Sequence, residues 1–499
     1  MKFLLLLLLL SVIGGVTYFS LKQNVAPMTK TPLWILWLVL MVPPFVLSGL
    51  MLVIGEKQPL PPGGLLFIIG LFFLCFFFYQ FLIQQGRTQK QNLPAETDAS
   101  EGKPVTSPKT DPPKKLNPIT SEEEKLLRNC FPWGTYYLQN LDYHPQAILC
   151  RGKLRSQPEV AYKTIRHNIE DKFGDRFIII FQEGARNSPF FALVPNPWAK
   201  KRDRESNESL TRPLLALALF AITLFTTTLA GAEMAGVSPQ EWQADATVLL
   251  RGVPYSLALV GILGLRELSH YFAAVRYRVR STLPYFIPIP LWLGTLGAFI
   301  QMRSPVPHRK ALFDIAIAGP LVGFLLALPT LFWGLSHSTV VPLNDESSML
   351  NPNSLNPRFS LLMALASKLA LGDRFTLETA IHLNPVAVAG YLGLAIVALN
   401  LMPVGQLEGG RIVHAMFGQR TAAVVGQIAR ILMLVLALIQ QDFLIWAIIL
   451  LFLPIADEPA LNDVTELDNW RDGLGLLALA LLLPILLPVP GMVAQWLNI

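Results

Sequence analysis

Two short stretches of the chain hold side chains that could do chemistry. The first is Arg266-Glu267-Leu268-Ser269-His270, inside an otherwise apolar run. Residues four apart share a helix face, so Arg266 and His270 look into the same space, with Glu267 one position round. Ionisable groups inside a membrane helix are costly to bury and mark a candidate functional site. With histidine in first position the spacing would be H-E-x-x-H, in which two imidazoles bind zinc and the glutamate activates a water. Here that position holds arginine. Taken alone, the pentapeptide also reads as a salt-bridged helix end whose arginine snorkels to the interface. The second stretch runs from Asn400 through Pro403, Gly405 and Glu408 to Gly409, Gly410 and Arg411. It places a carboxylate and amides where an apolar run breaks, and broken membrane helices expose backbone groups beside a site. A polar loop outside the bilayer is the other reading.

Both stretches need a scaffold to bring them together, and the composition says which kind. Of 499 residues only 15% are charged and 52% are hydrophobic. A soluble globular chain carries roughly a quarter charged residues, so an ordinary soluble enzyme is excluded. Apolar runs longer than about 18 residues recur, each able to cross a hydrocarbon core roughly 30 Å thick. The predicted fold class is a polytopic α-helical membrane protein with a small soluble α/β module and a re-entrant segment in the membrane core. The net charge of +6 comes from basic residues at the ends of apolar runs, a pattern of bilayer orientation; no nucleic acid partner is expected. Cys75, Cys130 and Cys150 lack the spacing of a disulfide framework or a zinc knuckle.

Residues 1–85 read as N-terminal transmembrane helices, over about Met1–Ser20, Leu33–Ile54 and Gly64–Ile83. The first is expected to stay uncleaved, since no A-x-A site follows its leucine run. Residues 86–118 are polar and rich in Pro, Lys and Thr, a composition that cannot bury enough apolar surface to order itself, so they form a flexible linker. Residues 119–197 read as the soluble module. It has a helix starting at Ser121, a second over Val160–Phe173 ended by Gly174, and strands at Phe177–Phe181 and Phe190–Val194. Residues 198–499 form the main transmembrane domain. Its spans are expected at about Pro213–Ala230, Val253–Val275, Ala311–Leu335, Val386–Leu401, Val424–Ile439, Leu444–Leu453 and Leu474–Leu487. Between them, Leu283–Met302 is apolar but broken by Pro284, Pro288, Pro290, Gly294 and Gly297. Irregular backbone survives at membrane depth only when buried in protein or lining a wet cavity, so this segment is predicted to be re-entrant. Lys22, Lys30, Arg87, Lys90, Lys200 to Arg204, and Arg276, Arg278 and Arg280 fall on one side if the spans alternate. Glu233, Glu241 and Asp245 fall on the other. The module is therefore expected on the cytoplasmic side or its organellar equivalent.

In four places these residues resemble the site-2 protease family of intramembrane zinc metalloproteases. The likeness is nearest to the branch shared by cyanobacteria and the chloroplast proteins named for ethylene-dependent gravitropism-deficient, yellow-green plants. Arg151-Gly152-Lys153-Leu154-Arg155 is similar to that branch's G-N-L-R, with Lys for Asn. Arg266 to His270 sits at the family's H-E-x-x-H. Pro284 to Pro290, Gly294 to Ile300, and Arg303-Ser304-Pro305 up to Gly319-Pro320 resemble the next block. Asn400 to Gly410 sits at the N-x-x-P…L-D-G-G segment that supplies the third ligand. The resemblance covers about Ile119 to Arg430.

The resemblance implies zinc held by two histidines and an aspartate, a glutamate general base, and cleavage of a peptide bond within a substrate's membrane helix. Carried over by position, Glu267 is the general base and His270 the second metal ligand. Glu408 takes the aspartate's place with one methylene more, and Arg266 takes the first ligand's. A guanidinium keeps its proton and has no lone pair to give a metal. At about 4 Å from a dication, in an effective dielectric of 20, it is repelled by some 8 kcal/mol. An Arg266 ion pair with Glu267 or Glu408 is the least costly arrangement in a membrane. His414 and His382 are the remaining candidate ligands, but a helix starting near Gly410 turns His414 away. Asn400 and Pro403 are assigned to a substrate groove, with Asn400 also able to satisfy exposed backbone. His308 reads as interfacial, His144 and His167 as solvated. Tyr271 and Phe272 are expected to pack on the re-entrant segment.

The expected function is that of a catalytically inactive or strongly impaired homologue, binding a client or substrate membrane helix within the lipid bilayer. No cofactor is expected, with Zn2+ present if the family site is retained. The alternative is an active intramembrane metalloendopeptidase performing regulated proteolysis. A transporter built on broken helices is disfavoured, because no inverted repeat is found and the polar residues gather at one side. The chain shows no transit peptide, so a bacterial plasma membrane or a thylakoid is the expected location.

Overall fold

The computed structural model describes residues 32–54, 119–144, 147–184, 188–196, 213–289, 293–344, 347–348, 351–376 and 378–497, together with isolated positions at 14, 17–18, 71, 74–75, 78–79 and 82. The chain divides into two units, Met1–Thr110 and Asp111–Ile499. In the first, α1 (Leu33–Ile54) matches the second expected span, and Trp37 donates from Nε1 to the Gly14 carbonyl at 2.8 Å. Most of the first and third expected spans, and the linker, lie outside the described residues.

In the second unit, α2 (Ser121–Asn129) starts with a reciprocal cap. The Thr120 hydroxyl accepts from the Glu123 N–H, and the Glu123 carboxylate accepts from the Thr120 N–H, satisfying two donors that a helix start leaves open. Strands β1 (Tyr136–His144) and β2 (Ala147–Leu154) follow, then α3 (Pro158–Phe173), β3 (Phe177–Glu183) and β4 (Pro189–Pro195). The strands form one antiparallel sheet in the order β1-β2-β4-β3. Its core centres on Tyr136, Phe181 and Phe191, with the two phenylalanine rings stacked at 4.2 Å. The sequence reading found α2, α3, β3 and β4 but not β1 and β2. The register of β1 slips between Leu138 and Asn140, which breaks the period-two alternation that marks a strand. Gly152 lies against this irregularity, where a β-carbon would sit 2.1 Å from the Tyr137 carbonyl oxygen. Cys130 and Cys150 are buried free thiols, and burial pushes the Cys150 thiol well up.

The apolar helices are α4 (Pro213–Met234), then, after the short α5 (Pro239–Ala244), α6 (Val253–Arg276) and α7 (Arg309–Ser336). Later come α8 (Leu361–Leu371), α9 (Pro385–Leu401), α10 (Glu408–Phe417), α11 (Gln419–Ile439), α12 (Leu444–Phe452), α13 (Asn469–Ala480), α14 (Leu482–Leu486) and α15 (Gly491–Leu497). Among the described residues, five stretches are long and apolar enough to cross a membrane: α4, residues 246–276 including α6, α7, α11, and residues 469–486. Helices α7 and α9 meet backbone to backbone. A β-carbon on Gly334 would lie 2.2 Å from the Ala387 nitrogen, and one on Gly390 would lie 2.4 Å from the Leu331 nitrogen. Such small-residue contacts maximise packing where lipid supplies no hydrophobic drive between helices.

Between α6 and α7 the chain makes a hairpin of β5 (Tyr285–Pro288) and β6 (Thr295–Phe299). A second hairpin, β7 (Thr339–Pro342) with β8 (Thr379–His382), spans the α7–α9 connection. Neither β7–β8 nor α8 was visible in the sequence. Helix α6 ends in a Schellman turn, with the Val279 N–H donating to Ala274 O at 2.9 Å and the Arg278 N–H to Val275 O at 3.0 Å. The turn puts Arg278 at φ 56°, the left-handed region that costs a side-chain-bearing residue roughly 1–2 kcal/mol.

The segment from 454 to 468, between α12 and α13, ties the sheet to the helices. Leu461 O accepts from the Phe181 N–H at 2.7 Å, and the Asp463 N–H donates to Phe181 O at 2.8 Å. On its other side, the Leu461 and Asn462 N–H groups donate to Val306 and Pro307 carbonyls at 2.9 and 3.0 Å. This short strand thus completes the free edge of β3 while bonding the chain that enters α7.

Candidate functional site

Helix α6 carries Arg266, Glu267 and His270 on buried positions, as i, i+1 and i+4 spacing requires. Glu408 comes to them because α10 begins there. After α9 ends, Gly405 turns the chain at φ 51°, and α10 folds back against the end of α9. A β-carbon on Gly409 would lie 1.9 Å from Leu401 O, and one on Gly410 would lie 2.3 Å from Gly405 O. The three glycines noticed in the sequence are therefore what admits Glu408 to the site. As the first residue of α10 its carboxylate also meets the positive end of that helix dipole.

The four side chains form one cluster. Arg266 donates from Nη1 to Glu267 Oε1 and from Nη2 to Glu408 Oε1. His270 Nε2 lies 2.9 Å from the same Glu408 oxygen, and its Nδ1 lies 2.7 Å from the Ile315 carbonyl on α7. The side chains of Arg266, Glu267, His270 and Glu408 are 6, 5, 8 and 12% exposed. They are thus too dry for water to carry the charges. Both imidazole nitrogens face oxygen acceptors, and the ring satisfies both only by donating from both. Two cations then face two carboxylates, the neutral sum that buried ions need. Arg266 Nε and Glu408 Oε2 are buried without a partner.

Asn400 donates from Nδ2 to Ile396 O at 2.9 Å on its own helix, and Pro403 is half-buried beside it. His414 is turned away from the cluster. It is fully buried, with Nε2 3.0 and 3.1 Å from the two carboxylate oxygens of Asp463. Arg309 donates from Nε to the same carboxylate at 3.2 Å. His382 is exposed at the end of β8. His308 caps α7, its Nδ1 accepting from the Ala311 N–H at 3.1 Å. His144 and His167 are exposed. Phe272 is 64% exposed, so it does not pack on the hairpin as expected: it lies past the cluster, on the outer face of α6. Among the described residues no three His, Cys, Asp or Glu side chains converge as a metal-ligand set.

The profile of peptidase family M50 matches residues 254–439, from the start of α6 to the end of α11, and so encloses the whole cluster. The "Probable zinc metalloprotease EGY2, chloroplastic" of Arabidopsis thaliana is 29% identical over 379 residues, covering 74% of this chain and 66% of the relative. Residues 254–439 are thus a site-2 protease (M50) domain. The "Probable zinc metalloprotease EGY1, chloroplastic" of the same plant is 27% identical over 419 residues, 78% of this chain and 74% of that one. The "Probable zinc metallopeptidase EGY3, chloroplastic" is 25% identical over 400 residues, 73% of this chain and 68% of that one. An EGY3 middle domain matches residues 125–201, which contain all of β1 to β4. The chain spans just under two thirds of the EGY2 relatives' length.

Sequence reasoning on this site-2 protease homologue placed Gly319 in a resembling block without giving it a role, and missed the Ile315 carbonyl. Gly319 makes room for the imidazole, since a β-carbon there would lie 1.9 Å from His270 Nε2. Its signal was the glycine before Pro320 at mid-helix, where a helix otherwise favours alanine.

Proposed function

We propose that this site-2 protease homologue has lost, or nearly lost, peptidase activity and acts as a membrane-helix-binding, regulatory protein. The observation that carries the reading is the Arg266 guanidinium bridging Glu267 and Glu408. By resemblance this is the place of the family's zinc, the ion named in its relatives' descriptions. The residues present do not fit that ion. Arg266 offers no lone pair, its positive charge repels a dication, and it already occupies the carboxylate that would serve as a ligand. His270 has both nitrogens engaged. Glu267 stands at the general-base position but accepts from Arg266.

What remains is a place to hold a membrane segment. The β5–β6 hairpin packs at the depth of mid-α6, with Phe286 against Gly264 and Gly294 against Thr227, which supports the re-entrant reading. The outer edge of β6 carries no strand among the described residues, and the backbone at Ile300 reaches Glu267. An unwound client helix has backbone groups to satisfy, and an open strand edge satisfies them. In this reading Asn400 and Pro403 are assigned to the same groove. A thylakoid or bacterial plasma membrane, with the sheet on the cytoplasmic or stromal-equivalent side, is the location we assign. The relatives' names are chloroplastic.

The test is the metal content of the purified full-length chain. Wild type is expected to hold far less than one zinc per chain, and Arg266→His, alone or with Glu408→Asp, to gain it. Stoichiometric zinc in wild type that is lost in His270→Ala would overturn the reading. So would cleavage of a single-pass substrate abolished by Glu267→Gln, an outcome that favours the active intramembrane metalloendopeptidase.

A further inference from the structure

The end of α6 gathers four arginines that pair with no acid among the described residues. Arg276 is the last residue of a stretch long and apolar enough to cross a membrane, so it stands at a bilayer surface. Arg278 and Arg280 follow. Arg303 joins them because its N–H donates to the Arg280 carbonyl at 2.7 Å, beside the Ser281–Met302 bridge. All four residues are exposed. The acids of this region are engaged elsewhere. Asp314 accepts from Arg471 and the Tyr277 hydroxyl, Asp468 from Lys310 and Arg471, and Asp463 from Arg309 while facing His414.

A second observation is independent of this count. Arg278 is, among the described residues, the one non-glycine at positive φ, and it holds the Schellman position that glycine fills without strain. Glycine would make the same turn, and Val279 would still pack on Ala274 and Ile315. What arginine adds there is its charge. One turn earlier, Phe272 and Val275 are 64 and 51% exposed, an apolar surface continuous with the arginines.

We propose that Arg276, Arg278, Arg280 and Arg303 bind the phosphate of an anionic lipid headgroup, with Phe272 and Val275 against its acyl chains. Clustered basic residues just outside a span attract anionic lipid, and long cationic side chains reach its phosphates. His270 lies six residues before Arg276, about 9 Å along the helix axis, so the bound lipid fixes the depth of the buried cluster in the bilayer. The proposal does not depend on whether the site is catalytic.

The experiment reconstitutes the full chain into nanodiscs of phosphatidylcholine with and without phosphatidylglycerol. It measures which lipid survives delipidation, by native mass spectrometry, and the melting temperature in each bilayer. Wild type is expected to retain phosphatidylglycerol and to melt higher in its presence. Arg276→Gln, Arg280→Gln and Arg303→Gln should each lower that preference about fivefold. Arg278→Gly should also lose about fivefold, yet melt higher than wild type in phosphatidylcholine alone, where relief of the turn acts unopposed. Arg278→Lys should keep most of the preference. Full phosphatidylglycerol preference in Arg278→Gly, or in the triple glutamine variant, would overturn the proposal. So would stabilisation by inorganic phosphate or a glutamate-rich soluble peptide equal to that by the lipid, which would assign the patch to a soluble anion or an acidic partner.

Discussion

Gly319 faces His270 so closely that a β-carbon on the glycine would lie 1.9 Å from the imidazole Nε2. The ring has nowhere to retreat, because its two nitrogens are engaged by Ile315 O and Glu408. Gly319→Ala should therefore destabilise the protein by about 1–3 kcal/mol, the usual cost of overpacking a well-filled core. The companion variant is Gly319→Ala with His270→Ala, which removes the ring that the methyl strikes. Melting temperatures of the four proteins form a cycle. If the double variant is as unstable as the two single losses added together, the glycine is not there for the histidine.

Glu408 is the acid that keeps Arg266 tolerable inside the membrane domain. Removing it leaves Arg266 and His270 with Glu267 as the one acid of the cluster, and an uncompensated buried charge costs about 3–5 kcal/mol. Glu408→Ala is expected to lose that much in unfolding measurements. Replacing both ends with apolar side chains, Arg266→Met with Glu408→Met, should be far milder, because buried pairs and packed hydrophobic side chains are often of similar stability. A double variant no better than Glu408→Ala would show that the pair is not the unit of stability.

The spans could be read from the sequence because bilayer thickness sets their length, and most expected helices appear within a few residues of their places. The Arg266–Glu408 pair was legible for a similar reason: a guanidinium that cannot discharge has to find an acid. Position in space was not legible. Nothing in the sequence says that Asp463, 49 residues past His414, meets its imidazole, because that contact depends on a strand inserted between two other segments. β1 stayed hidden behind its register slip, and α8, at 11 residues, is too short to register as a span. Phe272 was assigned inward by its place in a motif helix, but a motif fixes one face of a helix and leaves the other to the lipid.

His308 caps α7 with a neutral ring nitrogen, which accepts from the Ala311 N–H. Burial, with Lys310 close by, holds its pKa below the usual histidine range. The unfolded chain then takes up the proton first. The stability from this residue is complete above the unfolded value of roughly 6.5 and is lost as pH falls through the lower folded value. Asparagine caps without titrating, so His308→Asn should flatten the change in melting temperature between neutral and mildly acid pH. His308→Ala should cost about 1 kcal/mol at neutral pH. An unchanged pH slope in His308→Asn would assign that slope to other groups.

Asp463 joins three parts of the second unit at once. Its N–H donates to Phe181 on β3, and its carboxylate meets Arg309 at the start of α7 and His414 on α10. Glu408 begins α10, less than two turns before His414, so whatever holds His414 also holds the helix that presents the carboxylate to Arg266. Asp463→Ala leaves a buried arginine without its buried acid, a loss on the order of 3 kcal/mol, and removes the anchor of α10. Native-state hydrogen exchange reports such openings segment by segment. Amides of β3 and α10 are expected to exchange faster together in Asp463→Ala, while Asp142→Ala, which removes a surface pair with Arg151 and a hydrogen bond from Asn140, should leave both unchanged. Faster exchange confined to residues 454–468 would mean that the strand is held by the sheet but passes nothing on to the helix that carries Glu408.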